Sequence, residues 1–169
     1  QAANIACAIV LSEQYLGRAL DSETLFDSVV TCPTPGRFDV VRADPVGLSD
    51  ACHNPQSVET FLTAVRNVEP EVARRPMLLC AVLADKDVHG IVELLAPEFP
   101  SVAVTQTSSP RALPARELAD IFAECGNSPV AVYGSVAEAT SALEDRSYVA
   151  CGSITTAGEV SGIVRGSDR

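Results

Sequence analysis

Short apolar runs alternate with polar turns along most of this chain, and the period of the apolar positions changes from run to run. Residues 2–16 are apolar on nearly every side, interrupted early by Asn4, with Ile5, Ile9 and Ser12 on one face. The spacing predicts a helix that needs burial on more than one side. Asp21 is placed to cap a second short helix through Val29. Residues 31–36 (TCPTPG) then hold two prolines and a glycine, a linker or turn signal, and a domain boundary is expected there. The division is 1–30, terminal helices and linker of one domain, and 31–169, the next domain.

Beyond that boundary strands and helices alternate. Strands are predicted at 38–43 and 46–49, and Asn54-Pro55 opens a helix whose apolar stripe is Val58, Leu62 and Val65. Residues 77–83 form a continuous apolar run, as in a strand covered on both faces, and a helix follows through Leu95. Next come a strand at 102–105, a helix at 114–125 with Leu118, Ile121 and Phe122 inward, and a strand at 130–133. A helix at 136–144, a strand at 148–151 and a terminal helix at 155–164 complete the series, the last weakened by Gly158 and Gly162. The predicted fold is α/β, a Rossmann-like, mostly parallel sheet with helices on both faces. The first two strands are joined only by a turn at Asp44-Pro45, too short for a parallel crossover, so one antiparallel edge strand is expected.

Composition narrows the function. Of 169 residues, 47% are hydrophobic and 20% charged, which excludes disorder and fibrous classes. Acidic residues outnumber basic ones 22 to 12, for a net charge of −10. A nucleic-acid partner or a polybasic membrane anchor would need the opposite balance, so neither is expected. The apolar run at 2–11 is too short to span a bilayer. The chain opens at Gln1 inside an uncapped apolar pattern and reads as a piece of a longer protein. Its six cysteines form no CxxC pair, and free thiols in a reducing cytoplasm are expected, with Cys7, Cys80 and Cys151 as small core residues.

In open parallel sheets ligands bind outside the carboxyl ends of the strands. The loops expected there are 50–55 (DACHNP), 85–87 (DKD), 107–111 (TSSPR), Gly134-Ser135 and Gly152-Ser153. Asp50 and Asn54 read equally well as helix caps. His53 is one of two histidines, and Lys86 is the sole lysine beside 11 arginines. His89, inside a predicted helix, reads as structural. No phosphate-binding glycine motif and no nucleophile–base pair is present, so no residue is assigned a catalytic or metal-binding role.

These stretches, taken in order, carry a resemblance. PGRFDVV at 35–41 followed by DACHNP at 50–55 resembles the start of the C-terminal domain of folylpolyglutamate synthase/dihydrofolate synthase, a Mur-ligase-type ATP-dependent amide ligase family. QAAN at 1–4, ADKD at 84–87, TSSPRA at 107–112 and CGSI at 151–154 resemble further segments of that family in the same order. The resemblance implies that the opening helix belongs to the family's central domain. It implies a ligase that activates a folate or dihydropteroate carboxylate with ATP as an acyl phosphate, then transfers it to the amine of L-glutamate. It further implies that Arg37 contacts ATP phosphates and Asp50 the ribose hydroxyls, that His53 and Ser153 line the glutamate site, and that Arg111 grips the glutamate carboxylate. Asn54, Lys86 and Asp87 are implied loop contacts. The triphosphate loop and the groups around Mg²⁺ belong to the family's N-terminal ATPase part, a partner outside this chain. Two departures stand out. Ala51-Cys52 replaces Gly-Ala, which would strain Ala51 if that position needs a positive φ. Cys151 replaces a threonine. The alternatives kept open are another Mur-type ligase, of muramyl or cyanophycin type, and a non-catalytic nucleotide-binding module. Self-association through the apolar first helix is also expected, because four large aliphatic residues would otherwise face water.

Overall fold

The computed structural model describes residues 2–167; Gln1, the first residue of the QAAN stretch, lies outside the described residues. The chain divides after Thr34 into two compact units, each described by itself.

The first unit holds α1 (Ala2–Leu16) and α2 (Ser22–Thr31). Asp21 caps α2 through a hydrogen bond from the Thr24 N–H at 2.9 Å. Neither helix has a buried residue. Leu11 is 70% exposed and Tyr15 91%. Cys7, expected in a core, is exposed on α1, because this two-helix unit is too small to enclose one.

The second unit is a six-stranded sheet in the order β1-β2-β6-β3-β4-β5. Its strands are β1 (Asp39–Arg42), β2 (Gly47–Ser49), β3 (Met77–Cys80), β4 (Val102–Val104), β5 (Ala131–Val132) and β6 (Tyr148–Cys151). β1 pairs antiparallel with β2; every other pairing is parallel. Its helices are α3 (Pro55–Val68), α4 (Val88–Leu95), α5 (Ala115–Glu124), α6 (Val136–Ala142) and α7 (Ile154–Ser167). Among the described residues no helix is long and apolar enough to cross a membrane.

The period of two along each strand decides which helices cover which face. Leu78, Cys80, Val102, Val104, Val149 and Cys151 point to one side, where Val58, Phe61 and Leu62 of α3, Ile91 and Leu95 of α4, and Leu118 and Phe122 of α5 meet them. Leu79, Ala103, Tyr148 and Ala150 point to the other, under Val136 and Ala139 of α6 and Val160 of α7. Burial of each large aliphatic side chain in such a layer contributes about 1.5–3 kcal/mol.

Two elements differ from the sequence reading. The apolar run at 77–83 is a strand only through Cys80; residues 81–83 stay buried because the chain after β4 folds over them, with Leu113 N–H donating to Val82 O at 3.0 Å. The terminal helix runs further than 155–164, since its start is locked by a buried cap and Ala157 and Val160 pack inward.

Charge pairing gathers at the amino-terminal edge of the sheet. Arg75, with a side chain 2% exposed, precedes β3 and meets the Glu98 carboxylate, and Arg66 at the end of α3 reaches the same carboxylate at 2.6 Å. Arg75 also donates to the carbonyls of Glu69, Pro70 and Glu98, so four of the five N–H groups of the buried guanidinium are bonded.

Candidate nucleotide and amino-acid site

The opposite, carboxyl-terminal edge carries the loops singled out in the sequence, and the strand order sorts them into two groups. The first surrounds the ends of β2 and β6. Asp50 leaves β2 with its N–H on Ala150 O at 2.9 Å. Its side chain turns inward, 7% exposed, with Oδ2 accepting the Phe38 N–H at 2.9 Å and Oδ1 the Cys52 N–H at 2.8 Å. Asp50 is therefore not a rim residue, and it does not cap α3. Asn54 does: its Oδ1 accepts the Ser57 N–H at 2.8 Å, while Ser57 Oγ accepts the N–H groups of Asn54 and His53. His53 Nδ1 lies 3.0 Å from Ala51 O. A carbonyl can only accept, so Nδ1 carries the proton and Nε2 is the ring atom left for a ligand.

Arg37 enters this group from the segment before β1. It is exposed, and its guanidinium has no ion pair or hydrogen bond among the described residues. Its neighbours Gly36 (φ +66°) and Phe38 (φ +49°) are both left-handed, and Phe38 is the non-glycine residue with positive φ among the described residues. Ala51 has no such conformation. The Gly-to-Ala departure therefore places no strain on Ala51, and the strained position is Phe38 instead. The two departures, Cys52 and Cys151, meet: their thiols influence each other and Cys80 also acts on Cys151, and all three are fully buried. The Cys52 thiol is pushed far up by the Cys151 thiol and by burial.

Ser153 is drawn into the start of α7. Thr156 Oγ1 donates its one proton to Ala81 O at 2.8 Å, so in the 2.6 Å contact between the two hydroxyls Ser153 Oγ is the donor. Ser153 Oγ also accepts the Thr156 N–H at 2.9 Å and is fully buried. Its side chain caps α7. Helix capping claims the hydroxyl, and Thr156 carries the connection on to Ala81.

The second group surrounds the ends of β3 and β4. Asp85 pairs with Arg111 at 2.9 Å, both exposed. Asp87 caps α4, accepting the Gly90 N–H at 3.0 Å. Lys86 is half-buried, and its ammonium has no partner among the described residues. With β6 between them, β2 and β3 are two strand spacings apart, about 10 Å, so the two groups flank a span suited to an extended small molecule. Beyond them a cavity of about 600 Å³ opens after β4 and β5, lined in part by Gln106, Thr107, Ser108, Ser135 and Glu159. Glu159 of α7 holds the Ser108 N–H and hydroxyl at 2.9 and 2.7 Å, tying that loop down. Among the described residues no cluster of three or more His, Cys, Asp or Glu is arranged to hold a metal ion.

Phe38, Ser57, Thr156 and Glu159 shape this edge and were not singled out in the sequence. Ser57, three residues after Asn54, had a readable signal in the capping-box spacing. The others act through partners 12 to 75 residues away.

Comparison with known proteins identifies the family and the fold. Residues 36–152 match the family described as Mur ligase, glutamate ligase domain. The dihydrofolate synthase/folylpolyglutamate synthase of Mycobacterium tuberculosis is 35% identical over 124 residues, 70% of this chain and 25% of the relative. The Escherichia coli protein of the same name is 26% identical over 153 residues, 88% of this chain and 35% of the relative. A solved structure of Mycobacterium tuberculosis folylpolyglutamate synthase complexed with ADP superposes with a TM-score of 0.76 at 29% identity, covering 90% of this chain and 37% of that one. E. coli FolC in complex with DHPP and ADP gives 0.73 at 25%, covering 90% and 36%. The chain thus spans roughly a quarter to a third of these relatives. With the match opening at Gly36, next to the unpaired Arg37, and closing at Gly152 beneath the capped start of α7, the chain belongs to the Mur ligase, glutamate ligase domain family.

Proposed function

We propose that this chain is the C-terminal domain of an ATP-dependent amide ligase that adds L-glutamate to folates, a folylpolyglutamate synthase. The observation that carries the reading is Arg37: an arginine left unpaired in an acidic chain, at a strained turn beside the β2 loop, on the edge where this fold binds ligands. A guanidinium there suits the spreading charge of a polyphosphate. The names of the relatives and the ADP in the similar structures point to the same chemistry.

In this reading the domain closes over ATP held by an N-terminal ATPase domain. Arg37 meets the phosphates and Asp50 lies at the ribose edge. His53 presents Nε2 toward the incoming glutamate, and Ser153 contributes by fixing the start of α7. Arg111, released from Asp85, grips a glutamate carboxylate, with Asn54, Lys86 and Asp87 as neighbouring loop contacts. The folate carboxylate attacks the γ-phosphate, ADP departs, and the glutamate amine displaces phosphate from the acyl phosphate. This chain's part is to orient the amine against that carbonyl, a proximity effect. Mg²⁺ is held mainly by the ATPase part.

Glutamate-dependent phosphate release should appear with the complete polypeptide, ATP and a reduced folate, and be absent with residues 1–169 alone. Release by the 169-residue chain above a heat-killed control, or a complete enzyme that ignores folates, overturns the reading.

The first unit belongs to the central domain of that ligase, and apart from it α1 pairs with a second copy. Val10, Leu11, Tyr15 and Leu16 are too much apolar surface to leave in water. Light scattering should show residues 1–169 associating and residues 35–169 monomeric; two monomers of equal stability overturn the pairing.

A further inference from the structure

Arg37 sits between two left-handed residues, and only one of them is a glycine. Glycine takes that conformation without steric penalty; a phenylalanine takes it only when surrounding contacts hold it there. Such strain persists where the structure over-determines it, often at a ligand site.

Two contacts hold Phe38. Its ring lies 6.2 Å, centroid to centroid, from that of Phe61 in α3. Its N–H donates to Asp50 Oδ2 at 2.9 Å, across 12 residues of chain. Asp50 is itself oriented, because Oδ1 accepts the Cys52 N–H at 2.8 Å. The same seam is closed from the other side by the Ala51 N–H on Gly36 O at 2.8 Å. Gly36 N–H in turn donates to Asp39 Oδ2 at 3.2 Å, and Asp39 is paired with Arg165 at 2.6 Å. The Gly36 N–H and C=O and the Phe38 N–H are thus committed inward, while the guanidinium of Arg37 has no partner among the described residues. The chain holds 22 carboxylates, yet none of those described neutralises it.

We infer that Asp50 is a positioning residue for Arg37. By holding the Phe38 N–H it fixes the 36–38 turn in the conformation that presents the guanidinium to the polyphosphate of a nucleotide. The inference rests on the phosphate role given to Arg37 above, and it assigns Asp50 an effect on the phosphate end that is independent of any contact with a ribose.

A probe with no ribose separates the two roles. Inorganic tripolyphosphate is titrated at low ionic strength into the 169-residue chain, and its Asp50→Asn, Asp50→Ala and Arg37→Ala forms. Binding is followed by the NMR shifts of the Phe38 amide and the Arg37 Nε–H. The wild-type chain should show a saturable shift at Arg37, lost in Arg37→Ala. Asp50→Asn should weaken the apparent Kd at least fivefold and move the Phe38 amide upfield, since an amide can accept only one of the two N–H bonds. Asp50→Ala should go further; should it not fold, Asp50→Asn decides. Affinity within twofold of wild type in folded Asp50→Asn, with Arg37→Ala still losing binding, overturns the inference alone. Unchanged binding in Arg37→Ala, or no saturable shift in the wild-type chain, overturns the phosphate role of Arg37 and the inference with it.

Discussion

A Cβ atom on Gly152 would stand 2.5 Å from the backbone oxygen of Ala81, closer than real Cβ atoms approach anything. Gly152 also has φ +112°, outside the range of L side chains. The glycine lets the chain leaving β6 close against the end of its neighbour β3, where Ala81 N–H also donates to Cys151 O at 3.1 Å. Gly152→Ala should therefore destabilise the fold by at least about 1–3 kcal/mol from backbone strain alone. The obstacle is backbone, so it has no rotamer escape. A urea midpoint equal to wild type would show that the two strands do not approach this closely.

Acid should weaken the amino-terminal edge. The hydrogen bond from Arg66 and that from buried Arg75 hold the Glu98 carboxyl below its ordinary value of 4.5, against partial burial that raises it. A depressed folded-state pKa stabilises above the unfolded value and is lost as pH falls through the folded one. Stability should thus decline as pH drops below about 4.5, and Glu98→Gln should flatten that part of the profile. Glu98→Ala removes the carboxylate facing a buried guanidinium and should cost about 3 kcal/mol at neutral pH. Parallel acid profiles for wild type and Glu98→Gln would count against the role of this carboxylate.

Thiol reactivity should follow tertiary position. Cys7 and Cys32 are exposed, Cys125 is half-buried, and Cys52, Cys80 and Cys151 are buried. Only thiolates alkylate readily, and the Cys151 thiol and burial disfavour the Cys52 thiolate. Mass mapping after brief treatment with a maleimide should find Cys7 and Cys32 tagged first and the buried trio tagged only after unfolding. Tagging of Cys52 or Cys151 at the rate of Cys32 would mean that the loop after β2 opens in the native state.

Arg111 offers a test of the amino-acid end of the site. Its ion pair with Asp85 is exposed and contributes at most about 1 kcal/mol, so Asp85→Asn should leave stability nearly unchanged. In the complete ligase, Arg111→Ala should raise the KM for glutamate about 10- to 100-fold, as loss of a charged hydrogen bond does, with little change in kcat. An unaltered glutamate KM would remove Arg111 from the binding site.

Much of the fold was legible in the chain because it rests on local rules. Asn54-Pro55 marks a helix start through a cap that needs only the next three residues, and α3 begins there. The short link at Asp44-Pro45 forbids a parallel crossover, and β1 and β2 pair antiparallel. Alternating strands and helices imply a parallel sheet, and that places 50–55, 85–87 and 107–111 along one edge. Long-range contacts decided the rest. The insertion of β6 between β2 and β3 is a matter of packing between elements some 70 to 100 residues apart, and it brings Cys52 against Cys151. Residue type made Asp50 and Ser153 equally good ligand contacts. In the structure Asp50 holds the strained backbone at Phe38, and Ser153 is consumed by Thr156 and, through it, Ala81. A sequence shows which side chains carry polar groups. Where those groups spend their hydrogen bonds depends on which unpaired backbone atoms the finished sheet leaves beside them.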